Sequence, residues 1–99
     1  MKNIFINIKK EFDNRVRLGV MSILVVNDWV EFKTLKEMLD LSDGNLASHI
    51  KTLEKHDYIK IQKQFVGKKP QTTYAVTDLG RKAFTDHLDA LEALIKQSK

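Results

Sequence analysis

Residues 41–58, LSDGNLASHIKTLEKHDY, decide the fold. Ser42 is a residue type whose side-chain oxygen caps free N–H groups at a helix start. Leu46, Ile50 and Leu53 follow at i, i+4 and i+7, one buried stripe on a helix. The opposite face carries Asn45, Ala47, Ser48, Lys51, Thr52 and Lys55, all short or basic, with no large apolar group and no acid. Such a face fits a DNA major groove, where short residues permit close approach and lysines meet phosphate. An ordinary amphipathic helix with a solvated face has the same pattern, so the flanks must choose between the two. Asp43 reads as a second cap that favours the helix dipole, ahead of a contact to a cytosine amine.

Upstream, Thr34 and Glu37 have capping-box spacing, predicting a short helix to about Asp40 with Leu35, Met38 and Leu39 facing inward. Leu41 bridges it to the next helix, and the pair reads as a helix-turn-helix. Trp29 to Phe32 reads as one small strand, with Trp29 a hydrophobic plug. Asp13 is placed to cap a helix from Asn14 to about Val26, with Val16, Val20, Ile23 and Leu24 inside; Asn27-Asp28 ends it. In residues 1–12, Ile4, Ile6 and Ile8 alternate as in a strand, while Phe5, Ile8 and Phe12 fit a helical stripe. Helix is preferred because a helix follows. This N-terminal arm packs either against a second subunit or as a strap over its own core.

Downstream, Tyr58 to Val66 reads as a strand, Ile59 and Ile61 on one face and Tyr58, Lys60 and Gln62 on the other. Gly67-Lys68-Lys69-Pro70-Gln71 reads as a turn, since proline is refused inside a ladder, and Thr72 to Val76 returns as the partner strand. The resulting hairpin has two lysines at its tip, suited to phosphate or the minor groove. Thr77 or Asp78 caps a last helix to about residue 96. Phe84, Leu88, Leu91 and Ile95 are spaced 4, 3 and 4, a seam suited to dimerisation, while Asp86, Asp89 and Glu92 make the outer face acidic.

Ninety-nine residues, 42% apolar and 30% charged, predict one soluble domain over residues 1–99. The net charge of +4 is unevenly spread. Residues 48–82 hold eight bases against three acids, so the whole excess lies in one third of the chain, as in a polyanion-binding surface. The absence of cysteine excludes disulfides and thiolate metal sites. No apolar run approaches the roughly 18 residues that span a bilayer, and MKNIFINIKKEF lacks the apolar centre of a signal peptide, so a cytoplasmic protein without membrane contact is expected. Neither a nucleophile–base–orienter set nor a phosphate-binding Gly loop is visible, so no enzyme is expected. His49 lies near the helix stripe and His56 at a helix C-terminus. His87 with Asp86 and Asp89 falls short of a metal ligand set. No cofactor or metal is expected.

The order helix, strand, helix, helix, hairpin, helix is that of a winged helix-turn-helix: mainly α (α+β), with a two-stranded wing and a C-terminal dimerisation helix. LSDGNLASHIKTLE, FVGKKPQTTY and TDLGRKAF resemble the small bacterial and archaeal winged-helix regulators grouped near the MarR and ArsR families, over about residues 13–95. That resemblance implies a homodimeric transcriptional regulator bound to double-stranded DNA. By position it places Gly44, Asn45, Ala47, Ser48, Lys51, Thr52 and Lys55 of the recognition helix on DNA, with Lys68, Lys69, Gln71 and Thr72 of the wing. It implies a dimer interface of Phe84, Leu88, Leu91 and Ile95. The chain departs from the metal-sensing branch in having no cysteine, and it is shorter than a full MarR protein; a small-molecule effector is left open. The rival reading is a winged helix for protein–protein contact without DNA. That version would show aromatic or aliphatic anchors on the recognition helix, where this chain has Asn, Ala, Ser, Lys and Thr.

Overall fold

A computed structural model describes residues 8–97. Helices α1 (Arg15–Val25), α2 (Phe32–Leu39), α3 (Asp43–Lys55) and α4 (Asp78–Gln97) accompany strands β1 (Val30–Glu31), β2 (Ile59–Val66) and β3 (Lys69–Val76). The sheet is antiparallel in the order β1-β3-β2. This is a winged helix. Val20, Met21 and Leu24 of α1, Leu35 of α2, and Leu46, Ile50 and Leu53 of α3 meet Val30, Ile59, Tyr74 and Val76 of the sheet in one core.

Several element ends differ from the sequence expectation, each for a local reason. Asn14, not Asp13, caps α1: its side-chain oxygen accepts from the Val16 and Arg17 N–H groups at 2.9 and 3.1 Å. Asp13 instead closes a 3-10 turn over Lys10–Phe12. Ile23 is only partly buried, and Met21 takes a core position beside Val20. α2 starts directly from β1, so Thr34 lies inside its first turn and the expected capping box does not form. With two turns of helix, Leu35 and Leu39 fill the inward side, and Met38 is left 62% exposed. Trp29 is half-exposed rather than a plug; the Lys60 ammonium lies 5.6 Å from its ring centre, within cation–π reach.

The turns on either side of α3 share one device. Leu41 N–H bonds back to Lys36 C=O and Tyr58 N–H to Leu53 C=O, each across a residue in the left-handed region, Asp40 (φ 53°) and Asp57 (φ 60°). This is the Schellman closure, here carried by aspartate where glycine is the usual choice. α4 is then locked onto the second turn. Thr77 N–H donates to Tyr58 C=O, the Thr77 hydroxyl donates to Asp57 C=O, and the same hydroxyl oxygen accepts from Gly80 N–H. A Cβ on Gly80 would overlap the Tyr58 carbonyl oxygen, so only glycine fits there.

Of the expected N-terminal arm, residues 1–7 lie outside the described residues. Residues 8–12 strap the protomer's own core. Phe12 is 2% exposed and packs on Tyr58, Phe84 and His87 with ring centres 5.2–5.4 Å apart. All three histidines surround this strap. His87 Nδ1 accepts the Lys9 N–H at 3.0 Å. Arg17 joins the Glu11 carbonyl to His49 Nδ1, at 2.6 and 2.9 Å. His56 stacks on Tyr58, 3.9 Å from the Glu11 carboxylate. Phe84 is thereby taken out of the expected dimer seam, because it is 4% exposed within its own core.

Burial pushes His87 below its ordinary value near 6.5, Lys9 adding to this and Asp13 opposing it; burial and then Arg17 push His49 the same way. Folding therefore favours the neutral rings. Above about pH 6.5 this contribution is fully present; as pH falls below it, the unfolded chain takes up protons first and stability declines. Denaturant midpoints measured from pH 7.5 to 5.5 should fall, and the fall should flatten in a His49→Gln, His87→Gln chain that keeps both acceptors; an unchanged slope would refute the assignment.

Candidate nucleic-acid interface

α3 is oriented by its buried side. Leu46, Ile50 and Leu53 are at most 2% exposed, and the Ser42 hydroxyl caps the first turn by accepting the Asn45 N–H at 3.2 Å. Gly44, Asn45, Ala47, Ser48, Lys51 and Lys55 are consequently exposed. Among the described residues the Asn45 amide and Ser48 hydroxyl have no protein partner, so both remain free for a base edge. Thr52 is half-buried, its hydroxyl donating to the Ser48 carbonyl at 3.4 Å.

Asp43 is not a cap. It stands in the first turn, and its carboxylate pairs with Lys36 Nζ of α2 at 2.9 Å. That hydrogen bond, then the carboxylate's charge, raises the Lys36 pKa. The pair crosses the turn of the helix-turn-helix and neutralises an acid at the end of α3 where an anion would approach.

The exposed side of α3 borders a cleft of about 440 Å³ lined by Gly44, Ala47, Ser48, Ile50, Lys51, Glu54 and Tyr74. A second cleft, of about 550 Å³, runs between α2 and the wing, along Phe32, Lys33, Val66, Lys69, Thr72 and Tyr74. Tyr74 lies in both, so the two surfaces meet at the root of the wing. Glu54 is an acid in this groove that the helical reading does not include. Burial raises the Tyr74 pKa, Glu54 adding to it, so the ring keeps its hydroxyl proton.

The wing is longer and tighter than expected. The turn is only Gly67-Lys68, and β3 begins at Lys69. Gly67 (φ 65°) precedes Lys68, whose φ is not positive, the glycine-first arrangement of a type II′ hairpin. A two-residue turn makes Val66 and Lys69 a hydrogen-bonded pair. The next pair, Phe65 and Pro70, is then non-hydrogen-bonded, and the ladder needs no N–H from proline. Every residue from Lys60 to Pro70 is exposed, Lys68 and Lys69 included, so the hairpin stands away from the body; Ile61 is 38% exposed for that reason. Thr72 is half-buried. Gln71 is engaged inside the protein, donating to Glu31 and accepting from Gln64. Lys63 escapes the sequence reading: it pairs opposite Thr72, on the Tyr74 face of the hairpin, which strand alternation in the true register identifies.

Leu88 and Ile95 of the expected seam are exposed and Leu91 partly so. His87 faces inward with its Nδ1 occupied by Lys9. Among the described residues no helix is long and apolar enough to cross a membrane.

A family model described as a winged helix DNA-binding domain matches residues 16–95. An uncharacterised protein of Methanocaldococcus jannaschii is 33% identical over 87 residues, covering 88% of this chain and 95% of that protein. The structure of a transcriptional regulator homologue from Pyrococcus horikoshii OT3 is 34% identical, with a TM-score of 0.83 over 90% of this chain and 88% of that one. YusO from Bacillus subtilis, at 15% identity, shares the fold with a TM-score of 0.80 over 96% of this chain and 67% of its own.

The Lys36–Asp43 pair sets up a double-variant test. Lys36→Ala should lower affinity for duplex DNA by roughly two- to fivefold, the range of exposed ion pairs, by leaving Asp43 uncompensated. Asp43→Ala in the same chain should restore it. An equal loss in both, measured by fluorescence anisotropy, would make Lys36 a direct phosphate contact instead.

Proposed function

The chain belongs to the winged helix DNA-binding domain family, and from that premise we propose that it acts as a homodimer reading a specific double-stranded DNA site to regulate transcription. The family is described as a DNA-binding domain and the Pyrococcus horikoshii structure as a transcriptional regulator homologue, and both support this reading. The observation that carries the finer reading is the shared Tyr74: the exposed side of α3 and the root of the wing form adjoining clefts, so one duplex reaches both. The exposed positions of α3 offer no aromatic or aliphatic anchor, which is what the protein-binding alternative requires.

In this reading α3 enters the major groove. Asn45 and Ser48 meet base edges, Gly44 permits close approach, and Ala47 or Thr52 meets a thymine methyl. Lys51, Lys55, Lys63, Lys68 and Lys69 pair with phosphates, Thr72 borders the wing contact, and Gln71 serves the wing internally. Leu88, Leu91 and Ile95 of α4 join two subunits, which places two recognition helices about 34 Å apart on a pseudo-palindromic site.

Selection from a random duplex pool should return a two-fold motif with half-sites about one helical turn apart; an asymmetric or absent motif would overturn the dimeric reading. On the selected duplex, Lys68→Ala with Lys69→Ala should weaken binding alike for matched and mismatched sequences. It should also lower the slope of log affinity against log salt by about two, since each phosphate contact contributes roughly 0.9. An unchanged slope in the titration would remove the wing from the DNA.

A further inference from the structure

We propose that Glu31 is a positioning residue for the wing: its carboxylate terminates a one-way chain of side-chain amides, Gln62 to Gln64 to Gln71 to Glu31, that holds the hairpin at a fixed angle to the body. The inference rests on reading the hairpin as a DNA-contacting wing, and it names what aims that wing.

The backbone leaves the angle under-determined. β1 pairs with β3 only at Val30–Tyr74 and Glu31–Thr73. Beyond Thr73 the hairpin pairs with itself alone and runs about five residues, or roughly 17 Å, to its tip. Two-stranded ribbons twist freely and are marginal in isolation. Some tie to the body must fix where Lys68 and Lys69 stand.

The register supplies that tie on one face. Glu31 lies opposite Thr73, and Thr73 lies opposite Gln62. Gln71 is two residues along β3 on the same face, directly opposite Gln64. Gln62 Nε2 donates to Gln64 Oε1 at 3.5 Å, Gln64 Nε2 to Gln71 Oε1 at 2.8 Å, and Gln71 Nε2 to Glu31 Oε1. A glutamine amide both donates and accepts, so three in a row have no inherent direction. An ionised carboxylate only accepts, and at the base it orders all three. The final bond is charge-assisted and the chain is mutually polarised, which strengthens each link. Glu31 and Gln71 are also half-buried, where the bond is screened less than at the tip.

Electrostatics alone predicts the opposite role. An acid near the wing lysines repels a polyanion, so removing it should tighten DNA binding whatever replaces it. Positioning predicts that the alanine and glutamine variants differ, since Glu31→Gln keeps an acceptor for Gln71 and loses only the charge.

The test compares the wild-type chain with Glu31→Ala and Glu31→Gln. In free protein, the ladder-bonded amides of Gln64, Val66, Lys69 and Gln71 should exchange with solvent on the order of tenfold faster in the alanine variant, with α1 and α3 amides unchanged and the glutamine variant near wild type. On the selected duplex, alanine should weaken binding several-fold despite the loss of a negative charge, and glutamine should match or exceed wild type. Faster exchange in neither variant, or equal tightening by both, would overturn the proposal. If the wild-type chain binds no duplex, the DNA reading fails while the exchange measurement still decides the brace.

Discussion

The rotation of α3 about its own axis is the constraint from which everything at the candidate interface follows. Three side chains set it: Leu46 and Leu53 at 0% exposure and Ile50 at 2%. Burying each stabilises by roughly 1.5–3 kcal/mol as an upper estimate, so together they are comparable with the net stability of a small domain. Turning the helix by one residue, about 100°, would exchange them for neighbours such as Asn45 or Ala47 that bury far less apolar surface. The outward face is therefore rigidly presented, and the short side chains on it make a surface that another macromolecule can approach closely.

Around this fixed helix, charge is arranged rather than merely accumulated. The acid at the head of α3 is neutralised by Lys36, and the acid at the root of the wing is tied to Gln71. Among the described residues the lysines of α3 and the wing enter no ion pair, and they stand exposed. Within α4, by contrast, Lys82 with Asp86 and Lys96 with Glu92 form i,i+4 pairs on an exposed face. Such pairs contribute little to stability. Their effect is to keep α4 close to neutral while the α3 and wing side stays cationic, so a polyanion has one preferred direction of approach.

What is legible in the sequence and what is not follow from interaction range. The stripe of α3, the Ser42 cap, the order of elements and the two exposed wing lysines are local patterns, and each can be read directly. The misplaced roles have two kinds of cause, one local and one distant in sequence. Thr34 loses its cap role because α2 leaves β1 without a loop, and Phe84 leaves the seam because Phe12 arrives beneath it. Asp40 and Asp57 are hidden for another reason: both adopt positive φ as aspartate, a far weaker left-handed signal than glycine. Pro70 misleads because it argues against a ladder in general, whereas only alternate positions of an antiparallel ribbon need the N–H. Gln71 goes to DNA by position in a family pattern, and only the register shows it lying between Gln64 and Glu31.

α4 carries the argument about assembly. Its 20 residues span about 30 Å, and its buried members, Gly80, Ala83, Phe84 and His87, all lie in its first half. Past His87 the helix runs on for about ten residues in which Leu88 and Ile95 are exposed and no residue is buried. A helix this short is marginal in water on its own propensity, and leaving two large aliphatic side chains solvated adds no compensation. The first half needs no second subunit, since Phe12 and the strap already cover it. Leu88 and Ile95 of the second half are exposed, and in the proposed dimer a second copy of the same stripe would match them in length and chemistry. The division falls at His87, the last side chain of α4 that is buried in the core: up to it the described strap covers the helix, and the turns beyond it are the ones the proposed dimer uses.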